Sequence, residues 1–148
     1  SIGLRYFNVF GPNQSPEGAY AAVIPLFIQA ALRQQSPRIN GDGSNSRDFT
    51  YVDNAVQANV LALFTEDPSA LDQVYNIACG EQTSLNALWG QIKSMTGCSI
   101  DPFYGPPRQG DIPHSLADIQ KANRLLGYQP QVSVMEGLNR TVAWFKDK

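Results

Sequence analysis

The chain is predicted to fold as an α/β domain. Stretches with apolar residues at helical spacing alternate with short runs of strand-forming residues from one end to the other. Its 148 residues match one ordinary domain, and no repeat or low-complexity linker interrupts the alternation.

Ile2 to Phe7 read as a strand before the Gly11-Pro12 turn. It opens with no cap or polar leader, and the chain reads as cut from something longer. "AYAAVIPLFIQAALRQQ" (19–35) is apolar nearly all round, as a buried helix would be, with Pro25 fitting only near its first turn. "RIN" (38–40) is a short strand before the turn Gly41-Asp42-Gly43, and Asp48 to Val52 a second strand after it. Asp53 suits the N-cap of a helix whose inward stripe is Val56, Val60, Leu63 and Phe64.

"QVYNIAC" (73–79) reads as a strand running inward. Thr83 or Ser84 caps a helix with Leu85, Leu88, Trp89, Ile92 and Met95 on one face, ended by Gly97. "IDPFYGPPRQGDIPH" (100–114) reads as irregular. Asp118 caps a short helix carrying Ile119, Ala122, Leu125 and Leu126, stopped by Gly127. Ser133 and Glu136 form a capping box for a last helix with Val134, Leu138, Val142 and Phe145 inward.

Composition narrows the function. An apolar share of 43% is enough for a core. A charged share of 16% is low against a typical ~25%, so part of the surface is expected to face something other than water. The net charge of −2 argues against nucleic acid, and no apolar run approaches the ~20 residues of a membrane span. Cys79 and Cys98 have neither metal nor redox spacing and read as reduced cytosolic thiols. With His114 the only histidine, metal chemistry and Ser/His/Asp or Cys/His sets are not expected, and His114 reads as a loop histidine rather than a base.

The sequence holds no Tyr-x-x-x-Lys pair, no Gly-x-Gly-x-x-Gly and no Gly-x-x-x-x-Gly-Lys loop. What remains is a set of anion and polar-ligand binders. In "GDGSNSRDFTYVDNA" (41–55) a glycine turn leads into Arg47, and Arg108 lies in "PPRQGD". Two guanidinium groups can clamp a pyrophosphate through bidentate, charge-assisted bonds. Each alone reads rather as a surface or structural ion pair. Asn8 sits just past a strand end, where α/β folds place ligands, or serves as a turn-stabilising amide.

Six blocks in order, "LRYFNVFGPNQ", "GAYAAVIPLFI", "INGDGSNSRDFTYVDN", "VYNIACGEQTSLN", "PPRQGDIPHSLADIQKA" and "LLGYQPQVSVMEGLNRTVAWF", span essentially the whole chain. They resemble the C-terminal portion of the extended short-chain dehydrogenase/reductase family, the NAD-dependent nucleotide-sugar epimerases and dehydratases. Within it they look most like UDP-N-acetylglucosamine 4-epimerases. The resemblance implies a nucleotide-sugar substrate domain over 1–148, with 1–10 a residual late Rossmann strand and the N-terminal Rossmann half absent.

It further implies a UDP-sugar substrate and NAD bound mainly by the missing half. The parent would act by transient oxidation at C4, and this chain alone would be inactive. By resemblance, Asn8 would bond near the substrate phosphates and Phe7 would lie beside the nicotinamide. Ala22 and Val23 would line the nucleotide pocket, with Asn40 near uracil and ribose. Arg47 and Arg108 would clamp the pyrophosphate, Asp111 would accept from the ribose hydroxyls, and Ser115 would border the N-acetyl group. Two alternatives stay open: part of a 4,6-dehydratase or decarboxylase, or a stand-alone binding module whose exposed edge at Ile2 to Phe7 supports self-association.

Overall fold

A computed structural model describes residues 1–18 and 21–148. Ala19 and Tyr20, at the start of the expected first helix, lie outside the described residues. The elements run in the order β1 (Ile2–Tyr6), β2 (Val9–Phe10), α1 (Val23–Leu32), β3 (Arg38–Asn40), β4 (Ser46–Arg47), β5 (Thr50–Tyr51), α2 (Val52–Phe64), β6 (Gln73–Ile77), β7 (Thr83–Ser84), α3 (Leu85–Thr96), β8 (Phe103–Gly105), α4 (Gln120–Leu126) and α5 (Val134–Lys146). The strands pair two by two: β1 with β6, β2 with β5 and β3 with β8 in parallel, and β4 with β7 antiparallel. The α/β expectation holds.

Two apolar cores result. In the first, α1, α3 and α5 pack together through Phe27, Ile28, Leu88, Ile92, Leu138 and Val142. Phe27 meets Trp89 edge-on, with ring centroids 5.5 Å apart. The second, smaller core gathers Ala58, Tyr75, Ile77, Ala122, Leu126 and Tyr128 under the β1–β6 pair.

Local signals explain most boundaries. Ser84 Oγ accepts from the Ala87 amide at 3.1 Å to open α3, and Gly97 closes it at φ 71°. Pro25 sits in the first turn of α1, where its missing N–H costs no helix bond. Gly127 closes α4 in the left-handed region.

Several expectations are corrected. Of the strand expected over Asp48 to Val52 only Thr50–Tyr51 forms, as β5, while Asp48, buried, lies in the gap between β4 and β5. Its carboxylate accepts from the amides of Cys79 and Gly80, both at 3.0 Å, and of Ala117 at 3.2 Å. Val52 already belongs to α2, so Asp53 is not its N-cap; Asp53 lies in the first turn and pairs with Arg140.

The expected stripe of α2 points the wrong way. Val56, Val60, Leu63 and Phe64 are exposed, the last two at 75% and 73%, whereas Asn54, Ala55 and Ala58 are buried. Asn54 sets this rotation. Its Nδ2 donates to the Val132 carbonyl at 2.7 Å, while its Oδ1 accepts from the amides of Gln131 and Val132 at 2.9 and 3.0 Å. That satisfied buried amide, with small alanines beside it, lets α2 approach closely on its less apolar side.

Smaller differences follow the same logic. The 100–114 segment is not wholly irregular, since β8 adds to β3 there. Ser133 Oγ accepts from the Glu136 amide, but Arg140 engages the Glu136 carboxylate, so the capping box is half made. Asp118 accepts from the Gln120 amide at 2.9 Å while Ile119 occupies the cap position. The helix expected over 19–35 is shorter, and Leu26 and Leu32 face outward.

Candidate functional site

The Gly41-Asp42-Gly43 turn anchors the site. Both glycines have positive φ, 77° and 76°, which an L side chain adopts only at a cost. Asp42 accepts from the amide and hydroxyl of Ser44, and these bonds hold its carboxyl below the usual range. Asn86 of α3 donates to the Asp42 carbonyl at 2.9 Å and lies so close to Gly43 that a Cβ there would fall 2.0 Å from its side-chain oxygen. The turn is thus locked to the start of α3, and β4, which leaves it, is held by pairing Arg47 with Thr83.

Arg47 is therefore aimed rather than free. Its Nη1 donates to the Ser46 carbonyl at 2.9 Å and its Nη2 to Asp111, an ion pair whose side chains are 20% and 30% exposed. The other Asp111 oxygen accepts from Asn45 Nδ2 at 2.9 Å. This brings together three sequence candidates or their neighbours from segments more than sixty residues apart. Asp111 orients the guanidinium and supplies its counter-charge.

A cavity of about 550 Å³ opens beside this pair. Asn8, Arg47, Arg108 and Asp111 lie among the residues around its polar part, and Val23 and Asn40 line it as well. Leu26, Phe27, Ala30, Pro37, Phe49 and Leu85 supply apolar wall, with the amides of Gln29 and Gln35 beside them. An elongated ligand with an anionic part and a flat, weakly polar part matches that lining.

Asn8 is held in the left-handed region, φ 38°, and its Nδ2 donates to the Asp48 carbonyl at 3.0 Å. It is therefore both the turn-stabilising amide and a cavity residue. Burial pushes the Asp48 carboxyl up despite three amide donors, and through them it ties the Cys79-Gly80 and Ala117 segments to the strand that carries Arg47.

Three candidates stand apart from this cavity. Ala22 precedes α1 and lines a neighbouring cavity of about 130 Å³, together with Asn8 and Val23. Ser115 is clipped by its amide to the Ser46 carbonyl at 3.1 Å, next to His114, whose Nδ1 meets Ser46 Oγ at 2.9 Å. Phe7 is half-buried beyond the end of β1, its amide bonded to the Ile77 carbonyl.

Sequence reading missed Arg38, which also lines the main cavity. Strand alternation could have found it, because Arg38 and Asn40 share one face of "RIN" with Ile39 buried on the other. No group of three or more metal-ligating side chains occurs among the described residues. No helix among them is long and apolar enough to cross a membrane.

Known proteins resemble this chain along nearly all of its length. Residues 1–78 match the model of the NAD dependent epimerase/dehydratase family. A putative UDP-glucose 4-epimerase of Methanocaldococcus jannaschii is 40% identical over 97% of this chain and 45% of its own length. The structure of UDP-glucose 4-epimerase with UDP-glucose from Thermotoga maritima superposes with a TM-score of 0.92 at 42% identity, over 99% of this chain and 46% of that one. A UDP-N-acetylglucosamine 4-epimerase from Methanobrevibacter ruminantium, in complex with UDP-N-acetylmuramic acid, gives 0.90 at 42% identity over the same shares. The chain thus spans less than half the length of the relatives it matches.

Proposed function

The chain belongs to the NAD dependent epimerase/dehydratase family, and on that premise we propose that it is the substrate-binding part of a UDP-sugar 4-epimerase of the UDP-N-acetylglucosamine/UDP-N-acetylgalactosamine type. One observation carries the reading. Three arginines and a single aspartate gather around one cavity, beside a wall of apolar and amide side chains. The arginines suit a diphosphate and the wall suits a pyrimidine. The solved 4-epimerases with UDP-linked sugars support the sugar class.

In this reading Arg47 and Arg108 face the diphosphate. Asn8 bonds at its near end, Val23 and Asn40 border the nucleoside, and Asp111 both holds Arg47 and accepts from the ribose. Ala22 and Ser115 stand at the margins of the substrate. The residues present do not fit NAD itself, because the chain carries neither a glycine-rich phosphate loop nor a Tyr-x-x-x-Lys pair. Phe7 alone is assigned to the cofactor, as a neighbour of the nicotinamide. The chain is expected to bind substrate and not to turn it over.

Ligand-observed NMR with UDP and UDP-N-acetylglucosamine tests this, with Arg47→Ala/Arg108→Ala as control. Saturation transfer that the double variant abolishes is the expected result. A folded chain giving no transfer would overturn the binding reading. Transfer undiminished in the double variant would overturn the arginine clamp.

A further inference from the structure

His114 is the chain's only histidine, and it is not among the residues around the main cavity. The residue is exposed, yet its Nδ1 lies 2.9 Å from the hydroxyl of Ser46, which is only 6% exposed. Ser46 directly precedes Arg47 in β4. An exposed imidazole held to a buried hydroxyl, one position from the ion-paired guanidinium, calls for a reason.

Arg108 supplies it. That residue rides on an arch that leaves β8 at Gly105 and reaches β4 through Asp111. Pro106 and Pro107 have no amide hydrogen to donate, and the Asp111 amide turns back on the Arg108 carbonyl at 3.2 Å. The arch therefore depends on its two feet. One is the Gly105 carbonyl, which accepts from the Gly41 amide at 2.9 Å. The other is built on β4. There Asp111 meets Asn45 and Arg47, the Ser46 amide donates to the Pro113 carbonyl at 2.9 Å, and the Ser115 amide donates to the Ser46 carbonyl at 3.1 Å.

Ser46 is the hub of this second foot. Its carbonyl also accepts from Arg47 Nη1 at 2.9 Å, so the guanidinium and the returning chain share one acceptor. With Nη2 on Asp111, both ends of that guanidinium are set by where the returning chain lies. The strand-like pairing, however, is a single parallel bridge, Ser46 with His114. One rung lets the segment pivot, and a partly exposed ion pair restrains it weakly. The contact of Nδ1 with Oγ adds a second hold on the same rung. It survives in either protonation state, since a bare Nδ1 accepts the hydroxyl proton and a protonated one donates to the oxygen. We propose that His114 is a positioning residue: through Ser46 it fixes the spacing between Arg47 and Arg108, the two arms that hold a diphosphate.

This inference rests on the nucleotide-binding reading above and adds to it a residue outside the cavity. The dissociation constants of UDP and inorganic pyrophosphate are to be measured for the wild-type chain and for His114→Ala, His114→Asn, His114→Gln and Ser46→Ala, with a thermal melt of each. His114→Ala and Ser46→Ala should each weaken both ligands roughly three- to tenfold, the worth of one neutral hydrogen bond. The two changes together should do no more than either alone. Asparagine places a polar atom where Nδ1 stands and should restore most of the loss. Glutamine places it nearer Nε2 and should not. In an Arg108→Ala background His114→Ala should lose most of its effect.

Restoration by glutamine as well as asparagine, or additive losses at His114 and Arg108, would reduce the contact to packing and overturn the proposal. So would lowered melting with unchanged affinities, the mark of a residue that only stabilises the fold. Variants matching the wild type in every measurement would overturn it too, while leaving the nucleotide reading intact. A wild-type chain that binds neither ligand would sink both.

Discussion

α3 and α5 turn their apolar stripes toward each other; α2 turns its own outward. In the first core Leu88, Ile92 and Leu138 are fully buried between helices that close over them. In the second core Tyr75, Ile77 and Ala122 are equally buried, but the layer above them ends at α2, whose Val56, Val60, Leu63 and Phe64 are exposed. Among the described residues β1 pairs only with β6. Closed packing therefore surrounds the segments that aim Arg47 and Asn40, and open packing surrounds the segments that do not. The low charged fraction of the sequence is visible on this open side.

The sharpest way to break the comparison is a cavity in the closed core. Leu88→Ala should cost about 2–5 kcal/mol, read as a shifted urea midpoint at unchanged slope. A loss below 1 kcal/mol would mean that this core is no tighter than the other. Asn54→Ala comes next, because it takes the acceptor from the Gln131 and Val132 amides and the amide donor from the Val132 carbonyl. At about 1–3 kcal/mol per unmet group, partly relieved by water, it should rival the first change and free α2 to rotate. Hydrogen exchange at Gln131 and Val132 checks it, and protection unchanged there would refute the staple.

Arg47→Ala tests the site against the cores. Nucleotide affinity should fall by about 1.5–3 kcal/mol in the intact protein, with thermal unfolding little changed, and titration calorimetry measures it. Tyr128→Phe is smaller, removing the 2.8 Å bond from its buried hydroxyl to the Ala78 carbonyl, at about 1 kcal/mol in a melt. The smallest effect belongs to Leu63→Gln with Phe64→Ser on the open face. These should stay within about 0.5 kcal/mol each and raise solubility. A large destabilisation there would show the face to be covered.

Much of this was legible in the sequence, for identifiable reasons. Short-range chemistry was read correctly where one residue settles the matter: Ser84 and Gly97 bounding α3, Gly127 ending α4, and glycines at Gly41 and Gly43. Arg47 was legible because the turn before it and the strand under it are local. Its partner, Asp111, was named for a ribose contact, and its ion pair with Arg47 depends on a fold that brings residues 47 and 111 together.

α2 was misread because apolar periodicity marks which side is apolar, and Asn54 decided which side is buried. Asp48 was read as a strand residue because sequence does not reveal three amides converging on one carboxylate. Arg38 was passed over because it has no motif. In the fold its side chain comes against Gly105, sixty-seven positions along the chain.

The parallel register of β1 and β6 bears on how the chain reaches this state. Ile2 pairs with Gln73 and Tyr6 with Ile77, a sequence separation of seventy-one residues at every rung. The loop enclosed is nearly half the polypeptide, and its closure entropy must be met before the second core gains anything. Helix α3 and its Ser84 cap need only their immediate neighbours. Refolding should accordingly be asynchronous, with helical signal rising before Tyr75 loses its exposure, and with the first strand the last to find its place.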